Sequence, residues 1–514
     1  MFFQKIGLGL VLLLLTMVAC TEDSPDFALK VNTIGNGTVS QERLDDNTVK
    51  LTAQPEDNYK FLNWSGDINA TNNPIEVTLD RDKIITATFE VNDMLEVQVS
   101  GGGSYEKNIV SSENGVLVYE LQAIPASGFE FVNWKNGNTE YYTVNLTLQI
   151  EQETVINLDF ADSSQPFEYS QLPIVELANE TIWGLDAIDN DHVIFTTKSG
   201  KLYAFKGNET ILISSYYEEI VNSSGQGGLL DVKLDPDYEL NKYVYVTYSE
   251  KIAGSNFSYL SLDRFKYDNG QVSGIETLFK TGTPSQRNGH FGSRISFSNE
   301  YLFLSIGEGS PSLGGADSPR QNAQDLSNDW GKIHRLNFDG SVPEDNPFYN
   351  SENSVKSIYS YGHRNPQGLM FDPYDLSIIS TEHGPKGGDE LNVIKKGINY
   401  GWPLVSYGIN YNGSDISGRS HDGYEEPVFY WDPSIATSHL ILLKDKNHKS
   451  WFRNILVAGL KSKSVFRLRL QNGIYQQAER IQLGYRVRSL CEGDGGVFFV
   501  SGDNGGIVKF TPAQ

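Results

Sequence analysis

Cysteine is almost missing from this chain of 514 residues: only Cys20 and Cys491 are present. Cys20 closes a short apolar leader, so no internal disulfide framework is available, and a chain of this size can rest on its hydrophobic cores. Cys491 lies in an apolar, strand-like stretch and reads as packed rather than reactive. Excess positive charge is missing too. Lys and Arg number 41 against 65 Asp and Glu, a formal net charge of -24, which argues against nucleic acid and against a basic membrane-binding patch. There is no GxxxxGK[ST] loop and no GxGxxG opening a βαβ unit, so nucleotide cofactors are not expected. Long apolar runs are few. What is abundant is glycine, 49 residues, and aromatics at 12%, the composition of many short strands joined by tight turns.

The first apolar run, GLGLVLLLLTMVAC behind Lys5, is short for a membrane span and reads as a signal peptide over residues 1–19. It ends in Met17-Val18-Ala19-Cys20, which resembles a bacterial lipoprotein box with Met in place of the usual Leu. Cys20 is therefore the expected lipidation site and residues 20–28 a tether. The expected location is the bacterial cell envelope, periplasmic or on the outer-membrane surface, with membrane contact only through the lipid anchor.

Next comes a repeat. LTAQPEDNYKFLNW at Leu51–Trp64 returns as LQAIPASGFEFVNW at Leu121–Trp134, a shift of 70 residues. Each copy ends in an alternating strand, IITATFE and VINLDFA, and each Trp is expected to plug a small core. Residues 29–92 and 93–163 are expected to form two small β-rich domains. They resemble the divergent internalin-type B repeat, which implies a stalk or adhesion module without chemistry.

From about Gln165 the pattern changes to regularly spaced hairpins, such as HVIFTTKSGKLYAFKG from His192 and GVFFVSGDNGGIVKF from Gly496. The expected fold is all-β: a β-propeller over 165–514, with loops converging at one end of its channel. A pair of β-sandwiches is the alternative.

Polar residues sit in loops at the ends of apolar strands: Gln226 in GQGGLLDV, His290 in NGHFGSRISF, Glu308 in SIGEGS, Arg364 and Asn365 in GHRNPQG, Lys461 in GLKSKS, and Arg486 and Arg488 in GYRVRSL. Two residues apart, the last pair shares one strand face. If Arg364, Lys461, Arg486 and Arg488 line one funnel of an acidic protein, they call for an anion with several carboxylates or phosphates. In TEHGPKGGDELN, Gly384-Pro385 and Gly387-Gly388 force a tight loop followed by Asp389 and Glu390, a supply of hard oxygen donors that suits calcium.

Taken in order and spacing, GQGGLL, GHFGSR, GHRNPQGL, TEHGPKGGDELN, NYGWP, GLKSKSVFRLRL and YRVR resemble the soluble sugar dehydrogenases that depend on pyrroloquinoline quinone (PQQ), closer to the aldose branch than to the glucose branch. The resemblance covers roughly Pro173–Pro512. It implies a six-bladed propeller, PQQ and calcium as cofactors, an aldose sugar as substrate and an electron acceptor that it leaves unknown. His290 matches the general base, Glu308 the partner that holds its ring, and Arg364 with Asn365 the pair beside the quinone carbonyl. Lys461, Arg486 and Arg488 match the cations that hold PQQ. Gln226 lines the site, Trp431 resembles an aromatic covering the substrate, and Ser434 a nearby PQQ contact. The carbonyls of Gly384 and Pro385 match ligands of the PQQ-bound calcium, and Glu390 and Tyr400 those of a second, structural calcium, though a carboxylate expected near Asn410 is missing. Gly289 and the loop Ser310–Asp325 depart from the glucose branch where sugar would bind, so the sugar is not read from the resemblance. His363 and His383 carry no assigned chemistry. The competing readings are a non-catalytic propeller that binds carbohydrate or protein and a calcium-dependent hydrolase or lactonase.

Overall fold

The computed structural model describes residues 27–113, 115–162, 168–285, 287–309, 319–416, 423–446, 450–471 and 473–513. The expected leader, Cys20, most of the tether and residues 310–318 of the sugar-side loop lie outside the described residues. Strands dominate, and none of the described helices is long and apolar enough to cross a membrane.

Two compact units form. The first holds the described residues up to Val97 together with 106–122 and 145–156. Its opening repeat is built from two three-stranded sheets, one of Leu29–Ile34, Lys83–Val91 and Tyr59–Gly66, the other of Gly37–Arg43, Thr48–Pro55 and Ile75–Thr78. Alternation drives this: Lys83–Val91 turns Ile85, Ala87 and Phe89 inward at every second position. Trp64 fills that core as expected, with its indole N–H donated to the Asn72 carbonyl at 3.0 Å.

The second unit holds 98–105, 123–144 and everything from Asn157 onward. In it, Trp134 is fully buried. Tyr142 and Val132 of the second repeat pack with Tyr374 and Phe452 of the propeller, and Arg469 reaches Glu130 at 3.1 Å. The propeller itself is six four-stranded antiparallel sheets. Five are contiguous in sequence, spanning 182–214, 229–280, 295–361, 366–431 and 437–482. The sixth joins the last three strands, from Val487 to Pro512, to Tyr169–Glu176, which pairs antiparallel with Gly506–Pro512 and closes the ring. Closure completes the ring, and radial repetition leaves each blade only short, protected edges.

The innermost strands share an irregularity. In five of the six sheets the antiparallel register slips near the first residues of the inner strand, at Ile182/Leu185, Leu229/Val232, Pro366/Gly368, Thr437/His439 and Val487/Ser489. A bulge re-aims the residue it leaves unpaired. Those residues include Trp183, Asp231, Gln367, Ser438 and Arg488, and all five touch one side chain, Arg294, which precedes the inner strand of the third sheet. The Arg294 guanidinium donates to Asp231 at 2.6 Å, to the Ser438 carbonyl at 2.7 Å, to the Arg488 carbonyl at 2.9 Å and, through Nε, to the Gln367 carbonyl at 2.9 Å. It lies 4.1 Å from the centre of the Trp183 ring. One fully buried arginine thus contacts every other blade.

Breaking a buried ion pair leaves an uncompensated charge. Asp231→Ala is therefore expected to lower the unfolding free energy by about 3–5 kcal/mol, read by chemical denaturation, whereas the double change Arg294→Met with Asp231→Leu loses less than Asp231→Ala alone.

Candidate active site

Loops that lead into inner strands carry Gln226, His290, Arg364, Asn365, Ser434 and Arg486. Gln226 precedes the strand Leu229–Leu234, and its side-chain carbonyl accepts the backbone N–H of His290 at 2.8 Å. His290 sits at φ 50, followed by Gly292 and Ser293 at φ 63 and 78, a left-handed run that few residues adopt without support. The support is polar. The Asn365 amide oxygen accepts Gly292 N–H at 3.1 Å, and the Ser293 carbonyl accepts the Thr247 hydroxyl at 2.8 Å. Gly307 lets the next loop close over this turn: a Cβ there would lie 2.3 Å from the His290 carbonyl and 2.8 Å from the Asn365 side chain.

His290 and Glu308 are both buried, with Nδ1 of the imidazole 3.0 Å from Oε1 of the carboxylate. Burial, then the charges of Arg364, His383 and Arg320, hold the imidazole well below its usual range, so it is neutral. Burial pushes the Glu308 carboxyl up to about 7, against the pull of Arg364 and of a hydrogen bond from the Trp402 indole to its other oxygen. A neutral imidazole that donates Nδ1–H to Glu308 leaves the Nε2 lone pair for a substrate proton.

Arg364 and Asn365 stand beside this pair. The Arg364 carbonyl accepts Glu308 N–H at 2.9 Å, and its Nη1 donates to the His383 carbonyl at 3.1 Å. Its Nε and the Asn365 Nδ2 are buried without a partner among the described residues. Arg486 and Arg488 do share a face: both grip Asp503, at 2.7 and 2.9 Å. Arg486 remains half exposed, and the Arg488 charge is felt by His383 and by Lys198. Lys461 is exposed, tied in by its backbone to Ile435, and its ammonium has no partner among the described residues.

The loop after His383 is held by Asp389, which accepts Gly384 N–H at 3.0 Å, the Ser434 hydroxyl at 2.7 Å and Ala436 N–H at 2.6 Å. No hydrogen bond among the described residues ends on the carbonyls of Gly384 or Pro385, which leaves two hard donors for a cation. Glu390 is buried against Glu382, and the two share a hydrogen bond. Burial first, then mutual repulsion, raises Glu390 well above the usual carboxylate range, and burial raises Glu382 to about 8. Tyr400 stacks on His363, ring centres 4.7 Å apart, and donates its hydroxyl to the Val393 carbonyl. No group of three or more His, Cys, Asp or Glu side chains gathers into a metal site among the described residues.

Trp431 is buried beside Met370, Ile435 and Leu440. Its neighbour Ser434 has its hydroxyl committed to Asp389. Four residues of the site carry no signal of their own in the sequence. Asp503 and Lys198 lie in hairpin turns of unremarkable composition, and Arg320 follows a Gly/Ser/Pro-rich loop. Trp402 sits in NYGWP, a motif that carries the resemblance without giving its Trp a role.

The glucose/sorbosone dehydrogenase family description matches residues 179–509, and the divergent InlB B-repeat description matches 27–93 and 94–164. The chain is 34% identical over 343 residues to the aldose sugar dehydrogenase YliI of Escherichia coli, covering 64% of this chain and 90% of that protein. It is 36% identical over 227 residues to the quinoprotein glucose dehydrogenase B of Acinetobacter calcoaceticus, 40% of this chain and 45% of that one. The crystal structure of the soluble aldose sugar dehydrogenase from E. coli in its apo-form superposes with a TM-score of 0.61 at 31% identity, covering 67% of this chain and all of that one.

Gly307→Ala is expected to push the His290 turn off its supports and to cost about 1–3 kcal/mol, the usual penalty for overpacking. The denaturation midpoint reads it, and an unchanged midpoint would mean that the turn has room to give.

Proposed function

The chain belongs to the glucose/sorbosone dehydrogenase family, and from that membership and the site geometry we propose that it oxidises the anomeric carbon of an aldose to a lactone with PQQ and calcium. The observation that carries the reading is the buried His290–Glu308 pair beside Arg364 and Asn365, whose Nε and Nδ2 are buried donors without a protein partner among the described residues. Buried donors of that kind are rare unless something else satisfies them, and a tricarboxylate quinone offers acceptors.

When bound, PQQ supplies the hydride acceptor and calcium a Lewis acid that polarises it. Lys461, Arg486 and Arg488 would hold its carboxylates, and the Gly384 and Pro385 carbonyls the calcium. Every other part is done by the chain. His290 Nε2 takes the proton of the sugar C1 hydroxyl, and Glu308 balances the positive charge that the imidazole then gains. Arg364 places a fixed cation where negative charge develops, without reorganisation. The electron pair leaves with the C1 hydrogen, and the ring oxygen and C1 carbonyl remain as the lactone. Glu390 and Tyr400 are the proposed holders of a second, structural calcium, and the relative described as a quinoprotein favours the same cofactor. Lipidation at Cys20 would tether the enzyme in the cell envelope.

The test is reconstitution of the cofactor-free chain with PQQ and calcium, followed by dye reduction with a panel of aldoses. His290→Ala is expected to keep PQQ binding and to lose roughly 10²–10⁴-fold in kcat, the usual worth of a general base. Arg486→Ala is expected to weaken PQQ binding. Failure of PQQ to bind at micromolar concentration would sink the reading in favour of a binding module. The pH dependence has a definite sign. The pair must be free of its extra proton to act, and Glu308 takes one up near pH 7, so kcat/KM should fall as pH drops through about 7.

A further inference from the structure

We propose that Trp402 is a positioning residue: its indole N–H fixes the Glu308 carboxylate, and through it the proton on His290, so that Nε2 faces the substrate. The proposal rests on the dehydrogenase reading and deepens it. Glu308 has two oxygens, and both are used. One faces His290 Nδ1 at 3.0 Å, and the other accepts the Trp402 indole N–H. A carboxylate held at both ends cannot rotate, so the imidazole has a single acceptor in a single place.

The indole is itself held. The guanidinium carbons of Arg364 and Arg320 each lie 5.3 Å from its ring centre. Cations that close to an aromatic face attract it electrostatically. Its backbone is pinned at both ends, Trp402 N–H donating to the Gly362 carbonyl at 3.0 Å and the Trp402 carbonyl accepting Gln324 Nε2 at 2.7 Å. The ring is buried, 3% exposed, so water cannot stand in for its N–H. The charged and titratable groups facing the His290–Glu308 pair are Arg364, Arg320, His383 and Glu382. Trp402→Phe removes none of them. It keeps an aromatic ring beside the two arginines and deletes one donor to a buried carboxylate, a charge-assisted bond of the stronger kind. Without that donor the pair binds a proton more readily.

The experiment uses the full chain, free of cofactor, with histidines labelled at 13Cε1 and the His290 resonance assigned by its loss in His290→Gln. Titrated from about pH 5 to 9, Trp402→Phe should raise the midpoint seen at His290 by about one pH unit, a tenfold gain in proton affinity. In the reconstituted enzyme the acid limb of kcat/KM should move the same way, with PQQ affinity unchanged. A lower melting temperature with an unmoved midpoint would show that Trp402 only packs, and would overturn the proposal. Should the variant fail to fold, the wild-type indole 15N–1H resonance of Trp402 must titrate with the His290 midpoint, and a flat response overturns the proposal equally. If the wild-type chain reduces no dye while the midpoint moves, the dehydrogenase reading fails and the proton-holding role of Trp402 stands.

Discussion

Arg294 is the contact on which the second unit turns. A propeller has no layer at its axis, only the inner ends of six strands, and polar backbone there must be satisfied without water. One guanidinium does much of this, taking carbonyls from three blades, a carboxylate from a fourth and the face of an indole from a fifth. Its five donors in a rigid fork suit the task, and a lysine would offer neither the number nor the geometry. The register slips in five inner strands aim Trp183, Asp231, Gln367, Ser438 and Arg488 at the same point. They are therefore better understood as part of the axis than as local defects.

The same constraint places the chemistry. His290 lies four residues before Arg294, Asn365 two before Gln367, and Gln226 five before Asp231. Arg488 serves both sides, its carbonyl bound to Arg294 and its guanidinium to Asp503. Loops anchored that closely to a shared axis cannot drift independently, which keeps His290, Glu308, Arg364 and Asn365 in register. The left-handed turn at His290 is strained. It persists because the axis fixes one end, at Arg294, while Gln226 and Asn365 fix the middle.

Much of this is legible in the order of the amino acids, and the limits have physical causes. Alternation reports which face of a strand is buried, so the hairpins and the buried Trp64 and Trp134 can be read directly. Motif loops point to His290, Glu308, Arg364, Asn365 and the arginine pair, because polar residues at strand ends are conspicuous against an apolar background. What sequence does not carry is which side chains of separate loops meet. Asp503 is 15 residues from Arg488, and Trp402 is 94 from Glu308; nothing local distinguishes either from a solvent-facing acid or a core aromatic. Trp431, which the resemblance sets over the substrate, packs beside Met370, Ile435 and Leu440.

The charge distribution follows from the same geometry. The chain is strongly acidic overall, yet Arg320 and Arg364 face the His290–Glu308 pair, and Arg488, which shares Asp503 with Arg486, is felt by His383 and Lys198. Buried acids there are pushed toward their neutral forms, Glu308 to about 7 and Glu382 to about 8, and burial is the first cause in both. The arginines cannot be neutralised in that way, since guanidinium groups stay charged, whereas burial lowers the Lys198 ammonium. Asp503 offsets two of them and leaves Lys461 exposed and without a partner among the described residues, with the Arg486 guanidinium half open to solvent. One carboxylate between two guanidinium groups leaves a net positive charge at that point of an acidic chain.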